Sequence, residues 1–195
     1  MEAEISDTGI TNGIIFNFKD YSKAKKKIFF LGYQLKFDDC ISENERNFYK
    51  KLYPQLELVV KNHLHCTTCN THIGTAPDNK HLAVMHPVLR VTQCYECNAF
   101  YTSGEFSKGE DGSELYCRWC GQGGEVYCCA KCPYVFCTHC ITKNISKKYC
   151  LEVSKNDNWN CFSCDSEIIW NLRAQQWALV NFMDKQILYV SIILI

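Results

Sequence analysis

A small α+β domain held together by bound metal is the fold class this sequence predicts, and three observations predict it. Fifteen of the 195 residues are cysteine. Twelve of those fall in six C-x-x-C pairs between Cys66 and Cys164. Segments with helical periodicity flank that region on both sides. The length suits one medium domain or two small ones. An odd number of cysteines cannot all pair as disulfides. Met1 to Asp7 is acidic with no apolar core, so no secretory signal is read there. An unsecreted chain keeps its thiols reduced, and clustered thiols then read as metal ligands. Charge is balanced at 21 basic and 21 acidic residues, which argues against a chain-wide basic field for gripping DNA. The longest apolar run, Ile187 to Ile195, falls well short of the ~20 residues of a spanning helix. It is expected to be a buried or frayed tail, and no membrane partner is expected.

Residues 1–41 have no assigned role. Ile14, Ile15, Phe16 and Phe18 suit the start of a strand. Lys23, Lys25, Lys26 and Lys27 read as a solvated turn, with a nuclear-import signal or phosphate patch as the alternative. A helix is expected over 42–62. Ser42 is placed to cap it, Glu45 stands at the capping-box position, and Phe48, Leu52, Leu56, Leu58, Val59 and Val60 recur at roughly helical spacing. Pro54 kinks that helix or divides it in two. Residues 63–112 are read as a first metal finger with an acidic loop, and 113–165 as a second finger. Residues 166–195 are read as a C-terminal helix over Ser166 to Met183 followed by the apolar tail. Ile168, Ile169, Leu172, Trp177, Leu179, Val180 and Phe182 mark that helix, and Asp165 or Ser166 caps it.

A C-x-x-C turn sets two thiolates about one tetrahedral edge apart, so one ion can take both. Two pairs close a structural site, and six pairs suffice for three zinc ions. Redox catalysis uses one such pair at a helix start, not six. Cys66, Cys69, Cys94 and Cys97 are spaced C-x2-C-x24-C-x2-C, similar in outline to a GATA-type finger. The other eight run C-x2-C-x8-C-x2-C-x4-C-x2-C-x20-C-x2-C, the spacing of a PHD finger with Cys137 where most carry histidine. Trp159 two residues before Cys161, and Phe136 before Cys137, are further PHD marks. That resemblance implies cross-bracing. Cys117, Cys120, Cys137 and Cys140 then hold one zinc, and Cys129, Cys132, Cys161 and Cys164 another. Of the adjacent Cys128 and Cys129, Cys129 is preferred because it makes C-x2-C with Cys132. Cys40 and Cys150 are expected to be plain buried thiols. A RING finger, the nearest competitor, usually has a tighter third pair with a histidine.

A GATA-like finger joined to a cross-braced PHD-type finger and a C-terminal helix resembles the ADD domain of the ATRX and de novo DNA methyltransferase type. The likeness is carried by "YCRWCGQGGEVYCCAKCPYVFCTHC", "CYECNAFYTSGEFSKGEDGSELYC" and "NWNCFSC", and covers about residues 60–183. "CRWC" and the uninterrupted "CCAKC" bring it nearer the ATRX branch.

The resemblance implies a nuclear chromatin reader, not an enzyme, that binds the histone H3 tail with its fourth lysine unmodified and its ninth lysine trimethylated. Gly124, Glu125, Val126 and Tyr127 match the strand that pairs with the incoming peptide, an addition sustained by main-chain hydrogen bonds. Glu110 and Asp111, with Glu114 nearby, match the acidic stretch that meets the fourth lysine, whose ammonium offers three donors. Phe100 and Tyr101 match the aromatic pair of the methyl-lysine pocket, with Tyr116, Gly121 and Cys137 as further walls. Aromatic faces attract a quaternary ammonium by about 0.5 to 2 kcal/mol. Two positions depart from the pattern. Phe100 stands where ATRX-like domains have tyrosine, and Ala130 lacks the aspartate that follows the paired cysteines in many PHD readers. The alternatives are a nucleic-acid-binding zinc protein, with weak DNA contact through His63, His65, His72, His81 and His86, or a RING-type ubiquitin ligase.

Overall fold

The computed structural model describes Thr8–Thr11, Ile14–Asn17 and residues 33–193. Strands β1 (Thr8–Thr11) and β2 (Ile14–Asn17) form an antiparallel hairpin with Ile10 opposite Ile15. The strand expected at Ile14 is therefore present. Phe18 and the lysine cluster at 23–27 lie outside the described residues.

Helix α1 (Glu43–Leu52) starts where Ser42 caps it, the Ser42 hydroxyl accepting from the Glu45 N–H at 3.1 Å. The single helix expected over 42–62 is divided at Pro54. Tyr53 ends α1, and a 3-10 segment, Leu56–Lys61, follows. Proline has no N–H to donate and its ring collides with the preceding turn. Glu45 is not the reciprocal half of a capping box. Its carboxylate is buried and turned toward the C-terminal helix.

The first finger contributes the 3-10 segment Pro77–Leu82, strands β3 (Val84–Met85) and β4 (Thr92–Gln93), and helix α2 (Tyr95–Ser103). The second contributes the antiparallel pair β5 (Val126–Cys128) and β6 (Val135–Cys137), then helices α3 (Thr138–Asn144) and α4 (Lys147–Val153). A 3-10 turn, Glu167–Ile169, leads into α5 (Trp170–Ile193).

Two cores result. One gathers Tyr49, Leu56, Val59, Leu64 and Ile73 against Ala178, Leu179 and Met183 of α5. The other centres on Trp119, Phe136, Phe162, Ile141 and Ile169 beneath the second finger. In this core Phe136 and Phe162 meet edge to face at 5.0 Å, a favoured aromatic geometry.

Helix α5 runs ten residues beyond the end expected from sequence, through the apolar run to Ile193. As far as Ile193 the tail expected to be buried or frayed is helical, because a formed helix adds residues cheaply once nucleated. Ile187 and Leu188 are exposed on it. No helix among the described residues is long and apolar enough to cross a membrane.

The segment before α1 lies along α5. The Trp177 indole N–H donates to Lys36 O at 2.8 Å, and the Lys36 N–H donates to Asn181 Oδ1 at 2.8 Å. Phe37 stacks on Trp177 at 5.0 Å. Asp184 then receives both Lys36 and Lys80, joining three stretches of chain on one carboxylate. These cations hold its acidity stronger than that of an ordinary carboxyl against the opposing effect of burial.

Candidate metal centres and peptide-binding face

The backbone brings the twelve paired cysteines into three groups of four, and the membership agrees with the spacing argument. Cys66, Cys69, Cys94 and Cys97 form one group; Cys117, Cys120, Cys137 and Cys140 the second; Cys129, Cys132, Cys161 and Cys164 the third. Sulfur separations are 3.7 Å for Cys69–Cys94, 3.9 Å for Cys120–Cys137, 3.8 Å for Cys129–Cys164 and 3.6 Å for Cys132–Cys161. A tetrahedron with Zn–S of about 2.3 Å has an edge of about 3.8 Å. A disulfide would bring sulfur to about 2.05 Å. The geometry fits zinc and excludes cystine.

Backbone amides complete the fit. N–H groups of Cys97 and Cys140 donate to Cys94 and Cys137, which cap α2 and α3, each at 3.4 Å. Cys117 Sγ accepts from Trp119 and Cys137, and Cys129 Sγ from Lys131 and Cys161. Such donors favour the thiolate. Without a cation the clustered sulfurs oppose each other's ionisation: Cys140 and Cys117 are pushed up, chiefly by neighbouring cysteines. A divalent ion removes that conflict. Three four-cysteine zinc sites, all closed, are the consequence.

The remaining cysteines divide. Cys150 is buried as expected, whereas Cys40 is exposed, its Sγ 3.3 Å from Asp38 Oδ1. Cys128 is exposed at the end of β5 and belongs to none of the three groups.

A polar seam locks the fingers together, and sequence reasoning missed it. The Trp119 indole N–H donates to Thr67 Oγ1 at 3.1 Å, Lys143 donates to Thr68 O at 2.9 Å, and Asn144 donates to Thr67 O at 3.0 Å. His86 is part of this seam. It was counted among possible nucleic-acid contacts, but its ring is fully buried. Nε2–H donates to Trp119 O at 3.0 Å, so Nδ1 is an acceptor and receives the Val88 and Leu89 N–H groups at 3.1 Å each. Burial first, with the nearby Arg118 charge adding to it, pulls its pKa down to about 4.

Between that value and the ordinary 6.5, the unfolded chain binds a proton that the folded chain refuses. This contribution is therefore complete above about pH 6.5 and lost as pH falls toward 4, amounting to about 1.4 kcal/mol near pH 5.5. Urea unfolding of zinc-saturated protein at pH 8 and pH 5.5 should show the loss. His86→Gln should reduce the pH-dependent part by that amount. An unchanged pH slope in the variant would remove His86 from the account.

The residues expected to hold a peptide gather on the second finger and its approach. In the β5–β6 pair Tyr127 lies opposite Phe136, with Val126 opposite Cys137 and Cys128 opposite Val135. The flanking bonds Thr138 N–H to Glu125 O and Cys129 N–H to Tyr134 O fix the phase of the ladder. Antiparallel strands direct alternate residues to opposite edges. Tyr127 therefore faces β6, and Val126 and Cys128 turn their N–H and C=O groups outward. The far side of β6 is already occupied, with Arg118 N–H donating to Val135 O at 2.8 Å. Among the described residues no strand pairs with the outer edge of β5.

Phe100 and Tyr101 part company, as neighbours on a helix must. Phe100 is 54% exposed, while Tyr101 is buried against His86 and Phe106. Gly121, at φ +73°, sits where an added Cβ would lie 3.5 Å from both rings. Tyr116 is partly exposed over Gly123. The Gly121–Gly124 turn is thus bracketed by Phe100 and Tyr116, with Glu125 exposed just beyond. Cys137 is a buried zinc ligand.

The acidic residues also separate. Glu110 and Asp111 are exposed at a turn closed by Gly112 N–H to Gly109 O at 3.0 Å, with Asp111 Oδ1 accepting from Ser113 N–H at 3.0 Å. Glu114 is buried and paired with Arg118 through both carboxylate oxygens.

Comparison with known proteins agrees with this geometry. The family model for the cysteine-rich ADD domain matches residues 57–110. Transcriptional regulator ATRX of Mus musculus is 33% identical over 108 residues, 55% of this chain and 4% of that protein; ATRX of Homo sapiens matches equally. The chain is similar to ATRX-type proteins over about half of its length, and its residues 57–110 fit the ADD domain. Protein CHROMATIN REMODELING 20 of Arabidopsis thaliana is 32% identical to it over 103 residues, 53% of this chain and 6% of the relative. Transcriptional regulator ATRY of Notamacropus eugenii is 27% identical over 110 residues, 56% of this chain and 90% of ATRY. The match thus spans a small fraction of the ATRX and plant relatives, and most of ATRY. The family model's match ends inside the acidic turn.

Proposed function

We propose that this ADD domain is a nuclear chromatin-binding module that takes up the N-terminal tail of histone H3 as a third strand beside β5. The observation that carries the reading is the outward-facing edge of Val126 and Cys128 on a strand whose other side is already paired. Strand addition draws affinity from main-chain hydrogen bonds and selectivity from side chains around the edge. Glu110 and Asp111 are exposed carboxylates that would receive the unmodified fourth lysine, and Glu125 adds a third. Trimethylation removes the ammonium's donors and adds bulk, so an acidic site favours the unmodified form. Phe100 and Tyr116 present rings for a trimethylated ninth lysine. Names of relatives, transcriptional regulators and a chromatin-remodelling protein, support a chromatin role. The function is binding, and the three metal centres serve structure because each has four protein ligands and no open position.

The test is a titration with H3 peptides that are unmodified, trimethylated on the fourth lysine, or trimethylated on the ninth. The fourth-lysine mark should weaken binding about tenfold, and Asp111→Ala should erase that difference. The ninth-lysine mark should bind at least as tightly as the unmodified peptide. Absence of binding to every peptide, accompanied by salt-sensitive binding to DNA, would replace this reading with a nucleic-acid one.

A further inference from the structure

We infer that Arg118 is a positioning residue for lysine recognition: it clamps the acidic turn onto the second finger without touching the peptide. This rests on the peptide-binding reading above and adds to it the part that sets selectivity.

Arg118 lies between two zinc ligands, Cys117 and Cys120, and its backbone N–H is tied to Val135 O of β6. Its position is therefore fixed by the metal centre and by the strand beside β5. Its guanidinium carbon lies over two rings, 3.7 Å from the Phe106 centroid and 4.5 Å from that of Tyr134. Nε and Nη2 grip the two oxygens of Glu114. The Tyr101 hydroxyl lies against the same guanidinium but outside hydrogen-bonding geometry. Phe106 and Glu114 flank the turn that carries Glu110 and Asp111.

The backbone repeats the connection. Glu114 N–H donates to Pro133 O at 2.8 Å, in the β5–β6 hairpin, and Leu115 N–H donates to Ser107 O at 3.0 Å. The acidic turn is thus moored at the Cys128 end of the open edge. The carboxylates of this loop are alike in sequence, yet they have two jobs. Glu114 is spent internally on Arg118, which leaves Glu110 and Asp111 free to face a ligand.

Both halves of the clamp need arginine. Lysine keeps the charge but cannot span two carboxylate oxygens, and it has no planar face for two rings. Arg118→Lys should therefore release the loop while preserving charge and the zinc ligands.

The experiment uses the full zinc-loaded chain and two readouts. Metal content should remain three ions per chain in Arg118→Lys. Hydrogen exchange should then accelerate at Glu114 and Leu115, with β6 amides unchanged. In peptide titrations the variant should lose most of the preference for an unmodified fourth lysine, about tenfold, and bind a peptide with alanine at that position as the wild type does. Glu114→Gln should act in the same direction.

Unchanged exchange at Glu114 and Leu115 would overturn the clamp. Faster exchange with full lysine preference retained, or equal weakening of all peptides, would overturn its role in selectivity. If the wild-type chain binds no H3 peptide, the peptide reading fails along with this role in it, while the exchange result still decides whether Arg118 holds the loop.

Discussion

Withdrawing zinc with a strong chelator should abolish cooperative unfolding altogether. Each structural site contributes on the order of 10 kcal/mol or more of folding free energy, and a domain of ordinary size has only about 5 to 15 kcal/mol in total. The two hydrophobic cores cannot make up that difference, because cysteine ligands sit inside both of them: Cys66 and Cys94 in one, Cys117, Cys120, Cys137, Cys140 and Cys161 in the other. Loss of metal places uncompensated thiols in those interiors. Metal analysis should return three ions per chain, and thiol-reactive dye should titrate thirteen additional cysteines after chelation, the twelve ligands and buried Cys150.

The order of release is also expected to differ. All four sulfurs of the Cys117 group belong to buried residues, whereas Cys69 in the first group and Cys164 in the third are exposed. The Cys117 site should empty last. A thermal melt that does not respond to chelator would refute the metal-dependent fold.

The second large effect is expected at Arg173. This side chain donates from Nε to Leu89 O at 2.9 Å and from Nη1 to Glu45 Oε1 at 3.1 Å, and the Tyr49 hydroxyl reaches the same carboxylate at 2.5 Å. Both charged side chains are more than nine-tenths buried. Arg173→Met should cost about 3 to 5 kcal/mol, because Glu45 is left as an unpaired buried charge and Leu89 O loses a donor. Arg173→Met combined with Glu45→Leu should recover much of the loss, since removing both charges also removes their desolvation penalty. Urea unfolding at saturating zinc measures both. A loss below about 1 kcal/mol for the single variant would mean that water reaches the pair and screens it.

How much of this was legible in the sequence follows from the range of each interaction. Thiolate pairing is a matter of spacing, and the C-x-x-C register identifies the twelve ligands, including Cys129 over Cys128, while the interleaved grouping of the last eight is what the PHD resemblance implies. Ser42 and Pro54 act on their immediate neighbours, so the cap and the break near them were readable. Interactions between distant segments were not. His86 has no local mark that distinguishes it from His81 or His72, and only the approach of Trp119 O makes it part of an interior seam. Arg173 resembles any polar residue on a helix until Glu45 and Leu89 are brought to it. Glu114 cannot be told from Glu110 without knowing where Arg118 points. The helical tail went unread for a different reason: its β-branched residues suit either conformation, and continuation of α5 decides the matter.

The interleaving of the second and third centres has a consequence for synthesis. The Cys66 group is complete once Cys97 has emerged, and the Cys117 group once Cys140 has emerged. The Cys129 group must wait for Cys164, although its first two thiols lie in the turn between β5 and β6, ahead of Cys137. A nascent chain therefore acquires its ions in a vectorial sequence, and α5, made after the ligands, closes over fingers that are already loaded. A ribosome stalled between Cys140 and Cys161 would hold a chain carrying two ions and one open pair of thiols.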